Sequence, residues 1–295
     1  PMDASVAARI VAPRPNITAG RSEFVYTRPM VGLPQGDSPL LLNTSYTVTA
    51  DIEVPAGGAE GVMLTFFDAG HVLGSAITVL DIDEGGEKKR LVFTGDLGRR
   101  RMPILRDPEV PEGAQVLITE STYGDRLHKP IEQMDDELAA IVKKVYDRGG
   151  KVVIPSFALE RAQELVYAFK GLRESGRLPP MPIYVDSPLT VKITDVFKLH
   201  PECLDEEALE LLQGRNSPFE FDDLHYISDK EDSKAVSSSN EPSIVISASG
   251  MCEAGRILHH LKGSISSSKN AVLIVGYQAP HTLGRRLVER RSEVK

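Results

Sequence analysis

Short apolar runs mark the first part of the chain as rich in β-strands. Residues 1–60 contain many Pro, Gly and Thr residues without a sustained helical period, which predicts short extended pieces and turns. Beyond them lie four short runs of strand length, and the first three are β-branched or aromatic and end at Gly or Asp, as strands commonly do. These runs are residues 62–67, 76–82, 90–94 and 115–119. The Gly-containing segment 83–87 predicts a hairpin loop between the second and third strands.

From about residue 126, apolar runs of strand length alternate with segments of helical length. The predicted strands are residues 151–154, 183–185, 243–247 and 271–275. The predicted helices are residues 131–148, 159–173, 191–199, 206–213, 228–240, 253–261 and 283–289. Helical connections of this length imply parallel pairing in a sheet that is covered on both faces. We therefore predict an α/β fold with a domain boundary near residue 126.

Composition restricts the classes of function. The 295 residues are 41% hydrophobic and 26% charged, as in a globular protein, and two cysteines exclude a disulfide framework. No apolar run approaches the roughly 20 residues of a transmembrane helix, and the first residues lack a signal-peptide pattern. We therefore expect a cytoplasmic protein without a membrane partner. Because the net charge is −8, a nucleic acid must be held by local charge or by metal. The absence of Trp disfavours a broad base-stacking surface.

Small or polar residues end each predicted strand of the second half and open the following helix. Candidate phosphate-binding residues at these points are Ser156, Arg161, Ser249, Gly250 and Arg256. Ligands of open α/β sheets bind beyond the carboxyl ends of the strands, where helix N-terminal amides attract anions. The same residue types are ordinary helix caps and turn formers, so a purely structural role stays open. No segment matches a Walker or dinucleotide fingerprint.

Three ionisable residues lie at strand ends in the first half. His71 follows the first predicted strand, Asp96 the third and Glu120 the fourth. If these strands are neighbours, the three side chains converge at one rim of the sheet. An imidazole and two carboxylates suit a metal-hydrolase site, although a single His after a strand is often only a structural hydrogen-bonding group.

Seven motifs occur in a recognisable order. They are Asp68-Ala-Gly-His71-Val-Leu-Gly-Ser75, Phe93-Thr-Gly-Asp96-Leu-Gly98, Thr119-Glu120-Ser-Thr-Tyr-Gly-Asp125, Ile154-Pro-Ser-Phe-Ala158 with Glu160-Arg-Ala-Gln163, Tyr184-Val-Asp-Ser-Pro-Leu189, Ser249-Gly-Met251 with Gly255-Arg-Ile-Leu-His-His260, and Val275-Gly-Tyr-Gln278 with Thr282-Leu-Gly-Arg285. Together they resemble the β-CASP branch of the metallo-β-lactamase superfamily, which includes RNase J and the pre-mRNA 3′-end cleavage endonuclease. The resemblance covers about residues 62–290.

The resemblance implies a role for each candidate residue. His71 would be a zinc ligand, Asp96 the carboxylate that bridges two zinc ions, and Glu120 the acidic residue that orients a catalytic histidine. A metal-bound hydroxide would attack an RNA phosphate. The strand-end residues of the second half would hold RNA phosphates in a β-CASP domain that closes over the substrate.

The sequence also departs from the family pattern. The family's first metal motif, His-x-His-x-Asp-His, is absent from the chain, and the chain ends before the two later catalytic histidines would appear. His71 and Asp96 alone are too few for a stable zinc site, which normally takes at least three protein ligands. We therefore interpret the chain as truncated at both ends and expect it to be inactive alone, without stably bound zinc.

The predicted architecture is a partial metallo-β-lactamase αββα fold with an inserted β-CASP domain whose parallel sheet is flanked by helices. Its divisions are residues 1–126, 127–285 and a returning stump at 286–295. The predicted function is zinc-dependent RNA hydrolysis, endonucleolytic, with 5′-exonuclease action left open. The alternatives are a non-catalytic RNA-binding module and a metallo-hydrolase of small thioesters or lactams. RNA is the expected partner, and a homodimer stays open.

Two further positions receive structural interpretations. His259 and His260 are adjacent on a predicted helix, so one should face the interior and the other solvent. Cys252 begins a helix, where a lowered thiol pKa is conceivable, but we interpret it as a small buried apolar residue.

Overall fold

The computed structural model describes residues 61–84, 86–128, 130–214 and 217–291. The extended pieces predicted for residues 1–60 and the last residues of the predicted stump lie outside these ranges. Two sheets organise the described chain. We call β1–β4 with their loops the first part, and β5–β9 with their helices the second part.

The first part is a four-stranded sheet in the order β1-β2-β3-β4. Its strands are β1 (Gly61–Asp68), β2 (Ala76–Glu84), β3 (Glu87–Phe93) and β4 (Val116–Ile118). The predicted hairpin is confirmed, because β2 and β3 pair antiparallel up to Glu84 opposite Glu87. β4 lies parallel to β3, with Phe93 opposite Ile118. The ends of β3 and β4 therefore lie side by side at one rim.

The second part is a five-stranded parallel sheet in the order β7-β6-β8-β5-β9. Its strands are β5 (Val152–Pro155), β6 (Ile183–Asp186), β7 (Leu224–Ile227), β8 (Ile244–Ser247) and β9 (Ala271–Val272). Its helices are α1 (Met134–Tyr146), α2 (Arg161–Glu174), α3 (Pro188–Leu199), α4 (Glu206–Gln213), α5 (Lys230–Ser238), α6 (Ile257–Ser264) and α7 (Leu283–Val288). Short 3₁₀ turns form at Ile131–Gln133 and Pro201–Cys203. The predicted parallel α/β architecture is confirmed.

Helix α2 shows why this part has a single large core. Ala162, Leu165, Val166, Phe169 and Leu172 follow a helical spacing and are all buried. Burial of each larger side chain stabilises the fold by roughly 1.5–3 kcal/mol. Helix α2 begins shortly after β5, so this packing also fixes the residues between strand end and helix.

Three elements differ from the prediction. Strand β7 was not predicted, because His225 and Tyr226 interrupt its apolar residues. The strand lies at the edge of the sheet. The helix predicted from residue 253 begins at Ile257, since Gly255 adopts φ +84° and a Cβ there would lie 2.4 Å from the Ala248 carbonyl oxygen. Strand β9 spans two residues and not the predicted five. The sheets change between β4 and β5, and the domain boundary near residue 126 stays a prediction.

Candidate functional site

His71 and Asp96 face each other beyond the ends of β1 and β3. The distance from His71 Nε2 to Asp96 Oδ2 is 3.9 Å, and the two side chains are 42% and 73% exposed. Their loops touch through the backbone, because the Gly98 N–H donates to the Ala69 carbonyl oxygen at 2.8 Å. A Cβ at Gly98 would lie 1.6 Å from the Gly70 carbonyl oxygen. Backbone contact therefore sets the spacing of these two side chains.

Glu120 joins the same rim from the end of β4. Its Oε1 accepts a hydrogen bond from the Leu97 N–H at 2.7 Å, next to Asp96. Burial acts to raise the pKa of Glu120, but hydrogen bonds from Thr122 and Leu97 and the nearby His71 lower it below its ordinary value. Glu120 is therefore a carboxylate at neutral pH. The structure brings His71, Asp96 and Glu120 together, while their catalytic roles stay predictions.

The rim offers two side chains of the types that bind zinc. An imidazole and a carboxylate are both zinc donors, and His71 and Asp96 are oriented toward each other. Within the described ranges, no group of three or more His, Cys, Asp or Glu residues could hold a metal ion. Two protein ligands do not make a stable zinc site, so the described residues do not fit the metal by themselves.

Two tyrosines connect this rim to the second part. Tyr123 follows Glu120 by three residues and meets Tyr277 edge to face, with ring centroids 5.8 Å apart at 86°. The ring of His128 lies 4.6 Å from that of Tyr123. Burial raises the pKa of the Tyr123 phenol, with Arg161 opposing the shift and Glu120 adding to it. Both tyrosines lie within the sequence motifs, but the motifs predicted no role for either of them.

Three of the predicted phosphate-binding residues are neighbours at the ends of β5 and β8. Ser156 is buried, its N–H donating to the Ser247 carbonyl oxygen at 3.0 Å. Gly250 lies against Phe157, and a Cβ on Gly250 would lie 2.9 Å from the ring atom Cδ2. Ser249 is half-buried, and its Oγ accepts from the Glu253 N–H at 3.2 Å. The structure thus gathers Ser156, Ser249 and Gly250 at the carboxyl edge of the sheet.

Arg256 belongs to a buried ionic cluster around Asp186. Asp186 is fully buried and accepts from Arg256 Nη1 at 2.7 Å, from Ser233 Oγ at 2.6 Å and contacts His260 Nε2 at 2.6 Å. Burial acts to raise the pKa of Asp186, but these hydrogen bonds lower it. Arg256 Nη2 also donates to the Ser228 carbonyl oxygen. Its side chain, 21% exposed, is therefore held mainly by protein groups.

Arg161 opens helix α2 beside two buried carboxyl groups. Its Nη1 lies 2.5 Å from Oε2 of Glu164. Glu160 is 4% exposed, and its Oε2 accepts from the Leu73 N–H at 3.1 Å. Burial, with a contribution from Glu164, raises the pKa of Glu160 to about 8. This contact joins the second part to the loop that carries His71, and sequence reasoning did not find it.

The two structural interpretations from the sequence are confirmed. His260 is buried against Asp186, whereas His259 is exposed. Cys252 is fully buried, and burial raises the pKa of its thiol to about 11. Both its burial and its raised pKa disfavour a reactive thiolate at Cys252.

Comparisons with known proteins agree with the architecture. A family model described as the Beta-Casp domain matches residues 162–287. Ribonuclease TTHA0252 of Thermus thermophilus is 40% identical over 233 residues, which cover 79% of this chain and 52% of that protein. The RNase J-like protein of Methanocaldococcus jannaschii is 34% identical over 240 residues, covering 80% of this chain and 54% of that protein.

A third relative carries a different name. The transcription termination factor FttA of Methanosarcina mazei is 29% identical over 267 residues, covering 89% of this chain and 41% of that protein. The chain spans about half the length, or less, of these curated relatives.

Among the helices that the structure describes, none is long and apolar enough to cross a membrane. With the domain match, the parallel α/β sheet and the ordered motifs, the chain belongs to the β-CASP family of the metallo-β-lactamase superfamily.

Proposed function

We propose that this chain is part of a zinc-dependent ribonuclease that cleaves RNA endonucleolytically, with 5′-exonuclease action as a second mode. The carrying observation is the convergence of His71, Asp96 and Glu120 at one rim, directly beside residues of the second part. Relatives named as a ribonuclease and as an RNase J-like protein support the same reaction class. Both modes use the same substrate, RNA.

His71 and Asp96 supply two of the ligands in this proposal. The proposal requires further ligands, which the described residues do not supply. With those further ligands, a zinc ion held beside His71 and Asp96 would supply Lewis-acid chemistry at the phosphate. Glu120 stays ionised at neutral pH, so it accepts hydrogen bonds and orients a neighbouring donor.

The strand-end residues hold the RNA backbone in this proposal. The Ser249 hydroxyl accepts from the Glu253 N–H, which leaves its own proton to donate to a phosphate oxygen. Arg161 presents a guanidinium close to Tyr123 at the rim. Ser156 and Gly250 shape the backbone there, and Arg256 contributes positive charge through its exposed fraction.

A comparison of two chain lengths tests the ribonuclease proposal. The 295-residue chain and a longer form that includes the gene sequence on both sides are incubated with labelled RNA and zinc. We expect cleavage by the longer form only, and loss of that cleavage in Asp96→Ala. If no longer form cleaved RNA, the proposal that this chain is part of a ribonuclease would be contradicted. Robust cleavage by the 295-residue chain, abolished by Asp96→Ala, would contradict its proposed inactivity.

A non-catalytic RNA-binding role is the second candidate. It is favoured by the donor set, since the described residues bring two zinc-type ligands together and not three. This candidate predicts that the longer form binds RNA with unchanged affinity after Asp96→Ala and cleaves none. Zinc-dependent cleavage by the longer form would exclude it.

A further inference from the structure

Two aromatic rings are exposed at the carboxyl edge of the parallel sheet. Phe157 follows β5 and is 44% exposed, and Tyr277 follows β9 and is 38% exposed. Strands β5 and β9 are parallel neighbours, so both rings leave the sheet at the same edge. Other large aromatic residues of this part, such as Phe169 and Phe197, are fully buried. The exposure of Phe157 and Tyr277 is therefore not explained by packing of the core.

Glycines border the ring of Phe157. A Cβ at Gly250 would lie 2.9 Å from its Cδ2, and a Cβ at Gly276 would lie 4.0 Å from its Cε2. The ring thus lies against the backbone on one side. Because both neighbours are glycines, they have no side chain that could cover it. A positioned ring with an accessible face is what stacking on a nucleobase requires.

Tyr277 is positioned from the first part. Tyr123 contacts it edge to face, and His128 contacts Tyr123 in turn. The phenol of Tyr123 interacts electrostatically with both Glu120 and Arg161. The aromatic residues therefore extend from the predicted phosphate-binding edge to the rim with Glu120.

We propose that Phe157 and Tyr277 stack on unpaired bases of RNA whose phosphates contact Ser249. This inference rests on the proposed function, because it takes RNA as the ligand. Stacking favours single-stranded RNA, since the base faces of a duplex are already covered by neighbouring bases. Neither ring reads a base edge through a hydrogen-bond code, so recognition tolerates all four bases. Two rings suit one or two nucleotides, in keeping with a chain that has no Trp.

Binding of labelled oligonucleotides to the 295-residue chain tests the proposal. The ligands are a single-stranded RNA of about ten nucleotides, the same RNA with abasic sites at successive positions, and a blunt RNA duplex. Phe157→Leu and Tyr277→Leu keep apolar bulk but remove the aromatic ring. Each should weaken binding of the intact single strand about tenfold, the range for loss of one stacked base. Phe157→Tyr and Tyr277→Phe should bind nearly as well as the unchanged chain.

Two further readouts separate stacking from a general defect. The salt dependence of binding should be unchanged in the Leu variants, because no charge is removed. With an abasic site at the stacked position, the Leu variants should cause no additional loss. Phe66→Leu, a matched change at an exposed phenylalanine of β1, should leave RNA binding and the thermal midpoint unchanged.

The outcomes distinguish this inference from the proposed function. The stacking site alone would be overturned if RNA binding depended on salt but its affinity was the same with abasic sites and in both Leu variants. Equal affinity for the duplex and the single strand would overturn it as well. If the 295-residue chain bound no RNA at any salt concentration, the stacking site and RNA as a ligand of this chain would both be overturned.

Discussion

The carboxyl group of Glu160 accepts a hydrogen bond from the backbone N–H of Leu73, with 3.1 Å between Oε2 and N. The two residues belong to different parts of the protein, since Glu160 immediately precedes helix α2 and Leu73 lies in the loop of His71. In the part of the chain that the structure describes, the other oxygen, Oε1, is buried without a hydrogen-bond partner. This contact therefore links the proposed phosphate-binding edge to the loop of the proposed metal ligand His71.

Glu160→Gln should make the stability of the protein less dependent on pH. The pKa of Glu160 is raised to about 8 in the folded state, so between its ordinary value and pH 8 the folded protein binds more protons than the unfolded one. Stability therefore falls as pH rises through this window. Glutamine keeps an acceptor for the Leu73 N–H and carries no charge.

Thermal unfolding between pH 5 and pH 8 measures this effect. The difference in midpoint between the Gln variant and the unchanged chain should shift in favour of Gln as pH rises. Glu210→Gln, an exposed change on α4, is the control and should leave the slope unaltered. A pH-independent difference for Glu160→Gln would show that this carboxyl does not titrate as proposed.

Asp186→Asn should destabilise the second part strongly. The carboxylate is fully buried and pairs with Arg256 and His260, and removal of one partner from a buried ionic cluster costs about 3–5 kcal/mol. Urea unfolding measures the loss, and Asp222→Asn at an exposed position is the matched control. A change of less than about 1 kcal/mol would contradict the central role of Asp186.

Acid titration of the unchanged protein provides an independent check on Asp186. Its pKa is lowered in the folded state, so the ionised form contributes stability above the ordinary pKa of an Asp. That contribution is lost as pH falls through the lowered pKa. We therefore expect the unchanged chain to lose stability below about pH 4, while Asp186→Asn shows a weaker dependence on pH there.

Arg161→Gln should weaken RNA binding about tenfold, the size of one charge-assisted hydrogen bond. Its guanidinium lies near Tyr123 and pairs with Glu164 in the structure without RNA. The salt slope of binding should fall by about one unit, because one phosphate contact is lost. Lys143→Gln, an exposed change on α1, is the matched control. Unchanged affinity in Arg161→Gln would remove Arg161 from the phosphate-binding residues.

Cys252 should resist thiol reagents in the native protein. Its side chain is fully buried, and the pKa of the thiol is raised to about 11, so almost no thiolate forms at pH 8. In Cys203→Ser, Cys252 is the single remaining cysteine, and a chromogenic disulfide should react with it only after denaturation. Rapid labelling of that variant under native conditions would place Cys252 at an accessible surface.

Local patterns predicted most of the strands and the parallel sheet, because buried strands require continuous apolar runs. The same logic missed β7, an edge strand in which His225 and Tyr226 stand among apolar neighbours. Helix α6 started later than predicted because Gly255, at φ +84°, leaves the helical conformation and lies against the Ala248 carbonyl group. Such a contact leaves no periodic signal in the sequence.

The residues of the candidate site divide in the same way into those that local patterns predicted and those that long-range contacts bring together. Strand ends and motif order predicted that His71, Asp96 and Glu120 converge, and they do because β1, β3 and β4 run in the same direction and end at a common edge. The contacts of Tyr123 with Tyr277 and of Glu160 with Leu73 join segments that are far apart in the chain. Neither has a spacing or composition that would reveal the contact before the fold is known.

Gly98 has no side chain for chemistry, yet Gly98→Ala should lower the proposed activity of the longer form as a change of a catalytic residue would. A methyl group at this position would lie 1.6 Å from the Gly70 carbonyl oxygen and would wedge apart the loops that hold His71 and Asp96. The parallel sheet should fold unchanged in Gly98→Ala, because the collision lies entirely within the first part. A substitution can therefore lower activity by changing the distance between His71 and Asp96 without removing a reacting group. Gly98→Ala tests this cause by itself.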